Sequence, residues 1–103
     1  MCGIAGIWQE NEKKFSSYEL ASKMGGSLEH RGPDDFCTWL DEKCCLALSH
    51  RRLSILDLSS AGRQPLSSPQ GRYVIVFNGE IYNHLQLRKE LYQSGHNVNW
   101  IGR

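Results

Sequence analysis

Apolar residues occur along this chain in short blocks separated by polar turns, a pattern that predicts short strands and two helices. The first block, residues 2–8, places Ile4, Ile7 and Trp8 among small residues. This composition is typical of a short buried strand in which glycine lets another backbone or a ligand approach closely. We therefore expect the chain to begin with a rigid strand that carries Cys2 at its tip.

Two stretches have the 3.6-residue periodicity of amphipathic helices. The first begins at the capping-box sequence Ser16-Ser17-Tyr18-Glu19 and is predicted to end near Leu28, after Gly25-Gly26 has weakened it. The second follows Asn83, a residue type that favours the N-cap position, and is predicted to end at Ser94-Gly95. The apolar stripes of the two helices, which we expect to face the core, consist of Leu20, Ala21, Met24, Leu28, Leu87 and Leu91.

The remaining apolar blocks predict further strands. Residues 36–40 and 44–49 flank the polar triplet 41–43, which predicts a hairpin with a three-residue loop. Residues 73–77 are β-branched or aromatic throughout, so we expect a strand that is buried on both faces. Residues 59–72 are rich in Ser, Gly and Pro and predict a long surface connection of the kind that often borders a site.

Composition and charge narrow the functional classes. The 103 residues suffice for one modest domain, and twelve basic against eleven acidic side chains give a net charge of +1, which disfavours nucleic acid or an anionic membrane as a partner. The sequence has neither a signal-peptide pattern nor an apolar run long enough to cross a bilayer, so we expect a cytoplasmic protein. The four cysteines form no Cys-x-x-Cys pair, which predicts reduced thiols and no metal site.

Cys2 is the first candidate for chemistry. Removal of the initiator methionine, which a small second residue favours, would leave a thiol and a free α-amino group on the same residue. The ordinary pKa values of these groups, about 8.5 and about 7.7–8.0, allow the amine to take the thiol proton near neutral pH without a histidine. Taken alone, the position is more typical of a cysteine that is merely packed at the start of an edge strand.

Arginines occur in two further stretches. In the polar turn His30-Arg31-Gly32-Pro33-Asp34-Asp35, Arg31 and the two aspartates can hold the loop together by charge-assisted hydrogen bonds, but taken alone the stretch indicates a solvated turn. Arg51 and Arg52 are adjacent in a strand and point to opposite faces, so one is expected to turn inward and the other to stay in water. An inward guanidinium suits the α-carboxylate of an amino acid, although pairing with a surface acid is the alternative.

Asn78-Gly79 directly follows the strand predicted at 73–77. Taken alone, an Asn-Gly pair indicates a tight turn. Here a helix follows rather than a returning strand, so the pair lies at a strand-to-helix transition. An amide side chain and a glycine N–H at such a point can both stabilise a developing oxyanion.

Four motifs occur in order along almost the whole chain. They are Met1-Cys2-Gly3-Ile4-Ala5-Gly6, His30-Arg31-Gly32-Pro33-Asp34, Arg52-Leu53-Ser54-Ile55 and Asn78-Gly79-Glu80-Ile81-Tyr82-Asn83. Together they resemble the N-terminal glutaminase domain of asparagine synthetases, within the class II, N-terminal-nucleophile glutamine amidotransferases. The resemblance implies an α+β fold, an α/β/β/α sandwich with antiparallel sheets that is incomplete at its C-terminus, with residues 1–103 as the N-terminal part of the domain.

The resemblance also implies a role for each motif. Cys2 would be the nucleophile of a glutaminase that hydrolyses L-glutamine to glutamate through a thioester and supplies ammonia for ATP-dependent amidation of aspartate. Asn78 and Gly79 would form the oxyanion hole, and Glu80 would lie beside the substrate amine. Arg52 would hold the α-carboxylate, and backbone groups of the following residues would line the pocket. The implied substrate-binding residues are Arg52, Leu53, Ser54, Ile55, Leu56, Asn78, Gly79 and Glu80.

Two departures from the family pattern limit these expectations. The aspartate that binds the substrate amine is expected just past Arg103, and the ATP-using synthetase domain is missing. The resemblance implies no cofactor for the glutaminase half, and ATP and magnesium only for the missing synthetase domain, which would be a partner. We expect a truncated piece, cut in or just after a strand within 96–103, with little or no activity alone. The alternatives are a silent fragment or docking subunit, whose open strand edge would allow a homodimer, and an amidotransferase with another acceptor.

Overall fold

The structure, a computed structural model, describes residues 1–11, 14–55 and 59–96 and has an α+β fold with antiparallel sheets. The fold class implied by the resemblance is therefore confirmed. No helix in the described part of the chain is long and apolar enough to cross a membrane. The elements in chain order are β1 (Gly3–Trp8), α1 (Ser17–Gly26), β2 (Asp35–Asp41), β3 (Leu46–Arg52), a 3-10 turn (Ser60–Gly62), β4 (Leu66–Ser67), β5 (Val74–Ile75) and α2 (His84–Gln93).

β3 is the central strand of a three-stranded sheet and pairs antiparallel with both β1 and β2. α1 covers one face of this sheet, where Ser49 Oγ donates to the Ala21 carbonyl oxygen at 2.9 Å. The strand predicted at the N-terminus is present, but its burial is one-sided. Ile4 and Trp8 point away from α1 and are 46% and 76% exposed.

α1 begins as the capping box predicts. Ser16 Oγ accepts a hydrogen bond from the Glu19 N–H at 3.1 Å, and the Glu19 carboxylate accepts one from the Ser16 N–H at 3.3 Å. The helix ends at Gly26, two residues before the predicted end. Met24, predicted to lie in the core, is 40% exposed, because the stripe that packs on the sheet consists of Ser17, Ala21 and Gly25.

The turn between β2 and β3 has four residues, not the predicted three. Asp41 pairs with Leu46, so residues 42–45 form the turn. Cys45 there has a φ of 55°, in the left-handed region. The prediction was wrong because Cys44 and Cys45 look like apolar strand residues, whereas their backbone reverses the chain. Their thiols therefore do not alternate across a sheet.

β4 and β5 form a separate two-stranded sheet, in which Leu66 pairs with Ile75. The strand predicted at 73–77 is thus shorter than expected, and it is not buried on both faces. Tyr73 and Ile75 are 66% and 52% exposed. β-branched and aromatic residues predict a covered strand, but apart from β4 no helix or strand of the described chain packs against β5.

α2 begins after Asn83 and ends before Gly95, which has a φ of 84°, so both ends lie where the sequence predicts them. Asn83 makes no side-chain capping hydrogen bond, however. Leu87 and Leu91, predicted to be core residues, are 39% and 38% exposed, because no other element of the described chain packs against α2. The strand predicted within 96–103 lies almost wholly outside the described residues.

Candidate active site

Cys2 lies directly before β1 and beside the segment that follows β3. The antiparallel register pairs Gly3 with Arg51, which brings Cys2 next to Leu53 at one end of the sheet. The Leu53 N–H donates to Cys2 Sγ at 3.4 Å, and the thiol donates to the Leu53 carbonyl oxygen at 3.9 Å. The half-buried thiol is therefore held by backbone groups of a residue that the sequence predicts to line the pocket.

Two side chains from distant parts of the chain meet at the backbone carbonyl of Cys2. Arg31 Nε donates to this oxygen at 3.1 Å, and Asn78 Nδ2 donates to it at 3.1 Å. An amide nitrogen carries two protons, so this bond leaves one proton of Asn78 for another acceptor. The structure thus brings all four sequence motifs together, because Cys2, Arg31, Leu53 and Asn78 each belong to a different one.

Arg31 reaches Cys2 instead of holding only its own loop, a contact that sequence reasoning missed. The reason is the position of the loop. A Cβ at Gly32 would overlap the backbone of Arg51 and Arg52, so the loop lies directly on the end of β3. The signal available in the sequence was the glycine next to Arg31, which permits this close approach.

Asp34 ties the same loop to the segment after β3, as the prediction of a charge-assisted loop requires. Its carboxylate oxygen Oδ2 accepts a hydrogen bond from the Ser54 N–H at 2.7 Å, and its own N–H donates to the Arg52 carbonyl oxygen at 2.9 Å. These two bonds fix the chain path through residues 52–54. They thereby fix the backbone that contacts the Cys2 thiol.

Arg52 is 8% exposed and turns inward, as predicted for one of the two adjacent arginines. Its Nη1 donates to the Ser59 carbonyl oxygen at 2.6 Å. A Cβ at Gly62 would overlap its Nη2, so the 3-10 turn lies against the guanidinium. The connection at 59–72 was predicted to be of the kind that often borders a site, and its first residues, 59–62, touch the arginine expected to bind a carboxylate.

Arg51 does not stay in water, which corrects the prediction for this pair. It points to the α1 face of the sheet, where it is 9% exposed. Its guanidinium lies over the Phe36 ring, 4.8 Å from the centroid, and its Nη2 is 3.7 Å from Glu29 Oε1. Both faces of this end of β3 are covered. α1 and the residues after it cover the face with Arg51, and the segment at 59–62 covers the face with Arg52. Both arginines are therefore buried.

His50 connects the sheet to the segment that carries Asn78. It lies on the Arg52 face of β3 and is 2% exposed, and its buried Nε2 has no hydrogen-bond partner among the described residues. Burial lowers the pKa of His50, and the nearby Phe77 backbone only partly opposes this shift. The imidazole is therefore neutral near pH 7 and packs one residue away from the predicted oxyanion donor.

A polar depression of about 220 Å³ opens beside Arg52. Within it, Arg63 Nε lies 2.8 Å from Asp35 Oδ2, and this hydrogen bond holds the pKa of Asp35 below its ordinary value. Among the described residues, Arg52 lines this depression and Cys2 does not. The lining residues are Asp34, Asp35, Arg52, Ser54, Ser59, Ser60 and Arg63.

The other predicted site residues lie at the surface. Glu80 is exposed, and Ile55 is 73% exposed. A Cβ at Gly79 would lie 2.9 Å from Phe77 Cζ, so this glycine lets the chain fold closely over the aromatic ring. Leu56 lies outside the described residues. Among the described residues, no group of three or more His, Cys, Asp and Glu could hold a metal ion.

Comparison with known proteins identifies the family. Residues 1–100 match the model of the glutamine amidotransferase domain. The glutamine-hydrolyzing asparagine synthetase 1 of Bacillus subtilis is 40% identical over 101 residues, which cover 96% of this chain and 16% of that protein. Asparagine synthetase B of Escherichia coli is 39% identical over 90 residues, covering 87% of this chain and 16% of that protein.

These relatives are much longer than the chain described here. The glutamine-hydrolyzing asparagine synthetase 1 of Saccharomyces cerevisiae is 39% identical over 93 residues, which cover 87% of this chain but only 15% of that protein. No solved structure gives a significant match. Because the family match extends over nearly the whole chain, the resemblance seen in the motifs is confirmed, and the chain belongs to the glutamine amidotransferase domain family.

Proposed function

We propose that this chain is the glutaminase part of an asparagine synthetase-type enzyme, in which Cys2 hydrolyses L-glutamine to glutamate and ammonia. The observation that carries the proposal is the set of contacts on Cys2. Leu53 contacts its sulfur, and Arg31 and Asn78 both donate to its carbonyl oxygen. These three residues come from three separate motifs, and their convergence on one residue is what a positioned nucleophile requires.

The proposed reaction requires removal of Met1, whose 71% exposure leaves it open to an aminopeptidase. The freed α-amine of Cys2 then takes the thiol proton, and the sulfur attacks the side-chain amide carbon of glutamine. A C–S bond forms and the carbonyl oxygen becomes an oxyanion. The remaining proton of the Asn78 amide and the Gly79 N–H are the donors that we assign to this oxyanion.

The second half of the reaction releases both products. The C–N bond breaks, and ammonia leaves with the proton that the α-amine carries, so that a glutamyl thioester remains on Cys2. Water then attacks the thioester, which gives glutamate and restores the thiol. In both halves, the bonds from Arg31 and Asn78 to the Cys2 carbonyl oxygen keep the thiol and the α-amine in a fixed orientation.

We assign the head group of glutamine to the Arg52 side of the site. The guanidinium has five N–H donors, so its bond to Ser59 is compatible with a bidentate bond to an α-carboxylate. Backbone groups of residues 53–56 would line the pocket, and Glu80 would lie beside the α-amine.

The wider reaction is proposed from the relatives, which are named glutamine-hydrolyzing asparagine synthetases and are far longer than this chain. Ammonia would pass to a synthetase region that amidates aspartate, and ATP and magnesium would act there. All four cysteines are free thiols, which suits the reducing cytoplasm.

A docking subunit without catalysis is the second candidate function. The observation that favours it is the apolar surface of α2, where Leu85 and Leu91 are 69% and 38% exposed. A homodimer or a synthetase partner that covers α2 would appear as a concentration-dependent increase in size by sedimentation.

Covalent labelling tests the catalytic proposal. The intact mass of the purified chain is measured before and after exposure to an electrophilic glutamine analogue, for wild type, Cys2→Ala and the matched control Cys37→Ala. We expect loss of Met1 and one adduct in wild type and Cys37→Ala, and no adduct in Cys2→Ala. Cys44 is exposed, but desolvation and the Asp41 carboxylate raise its pKa, which limits background labelling. Retention of Met1, or labelling independent of Cys2, would contradict the proposal.

A further inference from the structure

The depression beside Arg52 contains a carboxylate that is placed to compete for this arginine. Asp35 of β2 and Arg52 of β3 are directly opposed in the antiparallel register, so their side chains lie on the same face of the sheet. Both line the same depression. An aspartate in this position is a ready counter-ion for the guanidinium that we assign to the substrate carboxylate.

The structure shows a different partner for Asp35. Its Oδ2 accepts a hydrogen bond from Arg63 Nε at 2.8 Å, and its Oδ1 accepts one from the Phe36 N–H at 2.8 Å. The Arg63 hydrogen bond is the main cause of the lowered pKa of Asp35, and the charge of Arg52 adds a smaller effect in the same direction. Both carboxylate oxygens are therefore engaged, and the stronger ionic interaction is with Arg63.

Arg63 is held in place by the same turn that contacts Arg52. The Arg63 N–H donates to the Ser60 carbonyl oxygen at 3.0 Å, while Gly62 lies against the Arg52 guanidinium. The Arg63 side chain is 57% exposed, whereas that of Asp35 is 20% exposed. The turn thus contacts Arg52 through its backbone, and its Arg63 side chain binds the neighbouring Asp35 carboxylate.

We propose that Arg63 is a positioning residue for substrate binding, because it engages Asp35 and so keeps this carboxylate from competing with the α-carboxylate of glutamine for Arg52. This inference rests on the proposed function, in which Arg52 binds the substrate carboxylate. Without Arg63, Arg52 is the cation that shares the depression with Asp35, and a protein carboxylate turned toward Arg52 competes with a substrate carboxylate for its N–H donors.

A simple tether is the competing explanation, and the two make opposite predictions. If the bond between Arg63 and Asp35 only anchors the turn, removal of either residue weakens carboxylate binding equally, and removal of both does not restore that binding. If Arg63 neutralises a competitor, removal of Arg63 alone impairs carboxylate binding. Removal of Asp35 alone then does no harm, and the double variant is restored.

The experiment compares two probes of Cys2, an electrophilic glutamine analogue with a free α-carboxylate and the same molecule with an α-carboxamide. The ratio of their labelling rate constants, followed by intact mass, measures the preference for a carboxylate. Arg63→Gln is expected to lower this ratio about three- to tenfold, the size of one partly exposed ion pair. Asp35→Asn, Arg63→Lys and the double variant Asp35→Asn with Arg63→Gln are expected to keep the wild-type ratio.

Arg52→Gln is the control that separates this inference from the proposed function. If the wild-type chain is not labelled at Cys2, or if Arg52→Gln keeps the full carboxylate preference, the proposed function itself fails, and the inference with it. If the preference depends on Arg52 but Arg63→Gln leaves it unchanged, only the inference is overturned. A loss in Asp35→Asn that the double variant does not reverse would establish the tether instead.

Discussion

The two halves of the molecule differ in how well they bury their side chains. Every buried residue that the structure describes lies between Gly3 and Arg52, where α1 packs on the three-stranded sheet. Residues 59–96 contain two strands of two residues each and a helix that packs against no other element of the described chain. The proposed nucleophile and the proposed carboxylate-binding arginine belong to the packed half, and the proposed oxyanion donors belong to the other.

The two halves should also differ in how readily they open locally. Segments with few buried contacts open locally at low free-energy cost, whereas a packed sheet opens only with the whole domain. The Cys2 thiol is held by Leu53 of the packed half, whereas Asn78 is joined to Cys2 through one side-chain hydrogen bond and to the sheet through the Phe77 contact with His50. Substitutions in the two halves should therefore have different effects on stability and on reactivity.

The largest effect is expected from Asn78→Ala. Loss of one oxyanion-hole donor typically lowers a rate about 10²–10³-fold, and we expect labelling of Cys2 by the electrophilic glutamine analogue to slow by about 10²-fold. The free energy of unfolding should change by less than about 0.5 kcal/mol, because Asn78 is exposed. Rate constants from intact mass and urea unfolding measure the two quantities.

Asn83→Ala is the matched control for Asn78→Ala. Asn83 precedes α2 but makes no side-chain capping bond, so both the rate and the stability should stay at the wild-type value. Equal slowing in the two variants would show that Asn78 acts through the fold of its segment and not through a reacting atom.

Adjacent glycines at the end of α1 give the next largest effect. A Cβ at Gly25 would lie 2.6 Å from both Phe36 Cε2 and Ser49 Oγ, whereas a Cβ at Gly26 meets no atom within 4 Å. We expect Gly25→Ala to lower the free energy of unfolding by about 1–3 kcal/mol through overpacking. Gly26→Ala should raise it by about 0.5 kcal/mol, because alanine favours the helix. Urea unfolding of both variants checks this, and equal shifts would contradict the packing of α1 on the sheet.

The junction between the two halves should respond to pH through His50. Burial lowers the folded-state pKa of His50 below its ordinary 6.5, so the unfolded chain binds more protons between these two pKa values. The contribution of His50 to the free energy of unfolding is therefore fully present above pH 6.5, and it decreases as the pH falls below this value. Thermal unfolding between pH 7.5 and 5.5 measures the decrease, which His50→Gln should remove. His96→Gln, at an exposed position, should keep it, and an unchanged profile in His50→Gln would contradict the assignment.

Local interactions explain the parts of the fold that were predictable from the sequence. The capping box joins Ser16 and Glu19 within one helical turn, so a four-residue sequence determines the start of α1. Burial is different, because it depends on what covers a residue. The predictions that Leu87, Leu91 and Met24 are core residues follow helical periodicity, and they are wrong because no partner covers those positions in the described chain.

The candidate site likewise contains residues that the local sequence predicts and contacts that only the fold reveals. Cys2, Arg52 and Asn78 are predicted site residues because each lies in a motif whose residue types suit one chemical task. The Arg31 contact with Cys2 joins residues 29 apart, and the bond from Arg63 to Asp35 joins residues 28 apart. Arg63 is one basic residue in a polar loop, so only the register of β2 and β3 and the path of the turn reveal its partner.

The smallest effect is expected on the exposed apolar stripe of α2. Leu91→Gln should change the free energy of unfolding by less than about 0.5 kcal/mol, because α2 has no buried residue. The matched substitution in the packed half is Leu28→Gln, whose side chain packs closely on Gly3 and should lower stability by about 1–3 kcal/mol. Urea unfolding at two protein concentrations measures both. A loss above about 1 kcal/mol at Leu91 that grows with concentration would mean that a second copy of the chain covers α2 in solution.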